Sequence, residues 1–153
     1  MNPLEPLSLF IRWAHVVGMA AILGGALLVW ALTALPPAAD PEDRTRLQIA
    51  QRYEWIFWLA IGVQAMTGVG NLGAFGQGLP SSASAWGIRF TVKLVAVLVL
   101  ALFSVPRTLV IATAAWSSPS EVAGTSTRVP ILYAATVLLV LVIVALAVWL
   151  AHG

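Results

Sequence analysis

The chain of 153 residues contains no cysteine, two histidines and few charges, only 9% of the total. Without cysteine there are no disulfides, thiolate metal sites, iron–sulfur clusters or c-type haem attachment. Eight cations stand against six anions, scattered along the chain with no basic stripe to follow phosphates, so a nucleic-acid partner is excluded. A Ser/His/acid set and paired carboxylates within apolar segments are also missing, which leaves hydrolysis without machinery. Whether the chain catalyses any reaction is left open, with a non-enzyme on its own the preferred reading.

What the chain has in abundance is apolar sequence, 60% of its residues. Such a composition belongs to an integral membrane protein. Four segments are long enough for the roughly 30 Å of a hydrocarbon core. They predict an all-α integral membrane protein, a single domain over 1–153 forming a four-transmembrane-helix antiparallel bundle, with helices at about 7–35, 47–72, 86–112 and 129–151. Pro36-Pro37 stops the first helix, because neither proline can donate the next helical hydrogen bond. Ser84 is placed to cap the third, and Pro106 is expected to kink or end it. The first apolar run is too long for a signal peptide and lacks a small-residue cleavage pattern, so it is expected to remain as a helix.

Tryptophans should form two belts: Trp13, Trp86 and Trp149 at one interface, Trp30, Trp55, Trp58 and Trp116 at the other. Arg44, Arg46, Arg52, Arg107 and Arg128 fall on the side of the first and third loops. By the positive-inside rule that side is cytoplasmic and both termini lie outside. Ala14, Gly18, Ala21 and Gly25 form a small-residue stripe, so helices one and two should be close neighbours. The largely aliphatic fourth helix should face lipid widely.

The unusual residues gather at the outer end. Arg12 and His15 enter on helix one, Arg89 and Lys93 on helix three, and His152 ends helix four. Gln64, Thr67 and Asn71 add neutral polar groups at the same end of helix two. Ionisable residues in a membrane segment face protein, water, a metal or a cofactor. Met19 stands one turn from His15, and Met66 is expected at similar depth on helix two. Imidazole with two thioethers suits Cu(I), so His15, Met19 and Met66 are the candidate copper ligands, against a background in which methionine often only fills space. The alternative is haem b on His15, with Arg12, Arg89 or Lys93 pairing its propionates; Met19, Met66, Lys93 or terminal His152 is then the second axial ligand. A third reading is a structural accessory subunit of a larger membrane complex. Snorkelling to headgroups is the bland alternative for each cation.

Two features are set aside. Gly68-Val69-Gly70-Asn71-Leu72-Gly73 fits G-x-G-x-x-G but ends a membrane helix and opens no βαβ unit. Glu54 beside Arg52 reads as an ion pair at the start of a helix.

Trp13-Ala14-His15-Val16-Val17 leading to Gly24-Gly25, Thr67-Gly68, and Trp86-Gly87-Ile88-Arg89-Phe90-Thr91-Val92-Lys93-Leu94 together resemble the CopD copper-resistance membrane domain. The resemblance covers about residues 9–112. It implies a bacterial inner-membrane protein in copper uptake or delivery, working with a protein partner or as a homo-oligomer. More distantly, His15 and Lys93 resemble the first-helix histidine and third-helix lysine of the HemJ family, which is linked to protoporphyrinogen oxidation and haem b. The tyrosine-rich stretch that follows the HemJ histidine is missing, as 24–32 holds only Trp30 among its aromatics.

Overall fold

In the computed structural model, residues 5–36, 40–74, 84–114 and 128–152 are described. They form four helices: α1 (Glu5–Thr33), α2 (Asp40–Ala74), α3 (Ala85–Ala114) and α4 (Arg128–His152). Three of them, α1, α3 and α4, are long and apolar enough to cross a membrane. Trp116 lies outside the described residues.

Helix limits follow local chemistry. α1 ends three residues before Pro36, and a last turn closes where Ala34 N donates to Trp30 O at 2.8 Å. The Thr33 hydroxyl donates back to Val29 O at 2.8 Å. α2 begins at Asp40, earlier than the expected residue 47. Pro41 is tolerated there because first-turn N–H groups have no intrahelical partner, and acids favour the positive helix end. Ser84 caps α3 as expected: its Oγ accepts from Gly87 N at 2.9 Å.

Pro106 does not end α3, which continues as α-helix to Ala114. Within a packed bundle the loss is confined to one hydrogen bond, the one that Leu102 O would have accepted from residue 106. Ser104 Oγ donates to Leu100 O at 2.7 Å, the back-bond of a helical serine.

The helices pack in the cyclic order α1–α2–α3–α4, with α1 against α2 and α4, α3 against α4, and the thinnest seam between α2 and α3. α1 and α2 run antiparallel. Gly25 lies against the Tyr53 ring and Gly18 against the Gln64 amide, so closely that a Cβ at either glycine would collide. Small residues here let the two backbones approach and gain dispersion contacts.

The core is layered between the ends. Ile22, Ala26 and Val29 of α1 meet Tyr53, Phe57 and Ala60 of α2, Leu100 and Ile111 of α3, and Tyr133, Val140 and Ile143 of α4. α4 presents Ile131, Leu138, Leu141, Val142 and Val148 outward while burying Val129, Val137 and Val140. Trp13, Trp30, Trp55, Trp86 and Trp149 also point outward. Trp58 departs from the expected belt. Half-buried, it donates from Nε1 to Thr108 Oγ1 at 3.0 Å and packs edge-on against Phe57.

Candidate functional site

Two polar clusters lie at opposite ends of the core. The first is built where the start of α1 meets the end of α2. His15 is half-buried, with Nδ1 2.9 Å from Thr67 Oγ1. Thr67 in turn donates to Val63 O at 2.6 Å, the usual back-bond of a helical threonine. One turn earlier on the same face of α2, Gln64 Nε2 donates to His15 O at 2.6 Å. Gly18 makes room for that amide. Gln64 Oε1 is buried and has no hydrogen-bond partner among the described residues.

The charges at this end are distributed unequally. Lys93 on α3 is half-buried. Arg89 turns to α4, its guanidinium 5.0 Å from the Trp149 ring centroid. Its Nη1 is buried without a hydrogen-bond partner among the described residues. Arg12 lies on an exposed face of α1. The side chains of Asn71 and His152 lie outside the described residues.

The three expected copper ligands do not converge within one chain. Met19 is half-buried and packs against the core. Met66 is 77% exposed and points out of the bundle. The reason is angular: Met66 and Thr67 are consecutive on α2 and so about 100° apart around the helix. With Thr67 turned toward His15, Met66 is carried away from it. Among the described residues no three of His, Cys, Asp or Glu cluster as a metal site.

The second cluster contradicts the expected Glu54–Arg52 pair. These residues sit two apart, on nearly opposite sides of a helix. Arg52 is exposed, while Glu54 is buried and reaches Arg107 on α3. Arg107 Nε donates to Glu54 Oε1 at 2.8 Å and Nη2 to Oε2 at 3.0 Å, a two-pronged ion pair. Tyr133 Oη on α4 donates to Oε1 at 2.6 Å, and Thr108 Oγ1 donates to Oε2. Arg107 Nη1 donates to Thr136 Oγ1 at 2.7 Å. The guanidinium packs over Phe57 at 4.3 Å and beside Tyr133 at 5.1 Å. α1 joins through Tyr53, whose hydroxyl donates to Ile22 O at 2.6 Å and whose ring meets Tyr133 at 5.9 Å.

Four donors thus hold the two carboxylate oxygens in place, which suits Glu54 to tying the helices together. The sequence did carry a signal for this pair. Glu54 stands roughly 20 residues before the end of α2 and Arg107 roughly 20 after the start of α3, about 30 Å along either helix. Opposite charges at one depth in neighbouring apolar segments are expected to pair.

No family model, curated protein or solved structure matches the chain. What the fold itself defines is an all-helical protein with three helices able to cross a membrane.

Proposed function

We propose that the chain is a four-span bacterial inner-membrane protein that receives or passes copper at its outer end, with His15 as the principal ligand. The observation that carries this is the anchoring of the half-buried imidazole at Nδ1 by Thr67, 2.9 Å away, which leaves Nε2 as the nitrogen for a ligand. Metal-binding histidines are commonly held this way through their second nitrogen. Met19 stands i+4 from His15 and supplies a thioether on the same face of α1. Met66 has no part in this set within one chain, so a further donor would come from a partner protein or a second copy.

The fourth span is α2. It lies along α1 from Tyr53–Gly25 to Thr67–His15, and its buried Glu54 is paired with Arg107. Both termini face outward in this reading. With Arg107 enclosed in the bundle, that orientation rests on Arg44, Arg46, Arg52 and Arg128. The resemblance of the sequence to the CopD domain supports the copper reading and the inner-membrane location.

The test is competition for Cu(I) between the purified chain in detergent and a coloured chelator under reducing conditions. Retained copper that is lost on His15→Ala supports the reading; no copper retained by the wild-type chain overturns it.

A second reading, a haem-b redox subunit, is favoured by the cations. Lys93 and Arg89 flank this end, Arg89 Nη1 lacks a hydrogen-bond acceptor among the described residues, and propionates would meet both. His15 would hold the iron. A visible spectrum of chain purified from haem-replete cells decides it, and absence of a Soret band overturns it.

A further inference from the structure

We infer that Thr67 selects the tautomer of His15, placing the proton on Nδ1 and leaving a bare lone pair at Nε2. The inference deepens the proposed copper site and rests on it only for its purpose. The geometry stands by itself.

A threonine hydroxyl has one proton and two lone pairs. Thr67 Oγ1 lies 2.6 Å from Val63 O and 3.4 Å from Gln64 O, both of which can only accept. Its proton is therefore committed along its own helix. What it turns toward His15 Nδ1, 2.9 Å away, is a lone pair. That contact is attractive only when Nδ1 carries hydrogen. Neutral imidazole has a single N–H, so Nε2 is then the acceptor nitrogen.

This reverses the ordinary preference, since the neutral histidine ring in water favours its proton on Nε2. Here the ring is half-buried, and the group that Nδ1 meets is the Thr67 hydroxyl. Gln64 keeps the arrangement from slipping. Its amide clamps the His15 carbonyl at 2.6 Å, and it stands one turn before Thr67 on α2. The two contacts hold the backbone and the ring of one residue to one face of the neighbouring helix.

Thr67 is thus a positioning residue acting through His15, and its role has a readout separate from copper. Nitrogen NMR of the full chain labelled with ¹⁵N-histidine, in bilayers without metal, reports the tautomer directly. The signal is assigned by its loss in His15→Ala. The wild type is expected to show Nδ1–H with unprotonated Nε2. Thr67→Val keeps the shape but removes the acceptor, and should shift the ring mainly to Nε2–H. Thr67→Ser should restore the wild-type pattern.

An Nε2–H ring in the wild type, or a tautomer unchanged in Thr67→Val, overturns the inference. Copper competition on the same variants should show about a 10- to 100-fold loss for Thr67→Val and little for Thr67→Ser. If the tautomer behaves as stated and no copper is retained, the copper reading falls while the role of Thr67 stands.

Discussion

Glu54 on α2 and Arg107 on α3 form a two-pronged ion pair at 2.8 and 3.0 Å in the interior of the bundle. Arg107 is fully buried and Glu54 nearly so. The pair joins α2 to α3 along the thinnest seam, and Tyr133 and Thr136 tie it to α4. Every side-chain hydrogen bond between α2 and α3 among the described residues lies at this end of the molecule. Among the described residues the His15 end is held by α1–α2 hydrogen bonds and by Arg89 of α3 over Trp149 of α4.

Removing one member of the pair strands the other charge in the core. Glu54→Leu or Arg107→Met alone should destabilise the folded chain by about 3–5 kcal/mol, whereas the double substitution should recover most of that loss. Thermal unfolding of the four proteins in one detergent measures the coupling. Additive losses would show that the charges do not depend on one another.

Tyr133→Phe removes one donor from Glu54 but keeps the ring against Tyr53 and Arg107. Loss of a buried hydrogen bond to a charged group should lower stability by about 1.5–3 kcal/mol, less than breaking the ion pair. The same melting series, with Tyr53→Phe as a second member, ranks the hydroxyls. Tyr53→Phe should have the smaller effect, because its acceptor is an uncharged carbonyl.

Adjacent glycines on α1 should respond differently. A Cβ on Gly25 would overlap the Tyr53 ring, which is held by its hydroxyl bond and by Tyr133. Gly25→Ala is expected to destabilise by about 1–3 kcal/mol. At Gly24 nothing lies within 4 Å of the new methyl, so Gly24→Ala should be neutral or stabilising by about 0.5–1 kcal/mol through better helix propensity. Equal effects at the two positions would refute the close α1–α2 approach.

The methionines should separate in copper competition. Met19→Leu should weaken Cu(I) retention by about tenfold, on the order of 1.4 kcal/mol for one lost ligand, while Met66→Leu should leave it unchanged for a single chain. A loss on Met66→Leu that grows with protein concentration would show the ligand arriving from a second copy.

Much of the fold was legible in the residues. Long apolar segments, Pro36 and the Ser84 cap located four helices to within a few residues, except where α2 starts early. The stripe of Gly18 and Gly25 correctly placed α1 beside α2. Local rules were weaker at Pro106, where the helix runs on despite the lost hydrogen bond. They failed for Glu54, where proximity in sequence suggested Arg52 although the helical period sends the two to opposite faces.

At the candidate site, residue types identified the end of the bundle but not its contacts. His15, Gln64 and Thr67 could be assigned to one depth by counting from helix ends. Which of Met66 and Thr67 meets His15 depends on rotation of α2 about its axis, and hydropathy does not set that angle.

By itself, then, the sequence determined the number of helices and, α2 apart, their limits to within a few residues, because apolar run length, prolines and caps are local constraints. Only the tertiary structure decided which residues face one another. Packing of small residues against Tyr53 and Gln64 sets the rotation of α2. That rotation aims Glu54 at Arg107, brings Thr67 to His15 and turns Met66 outward.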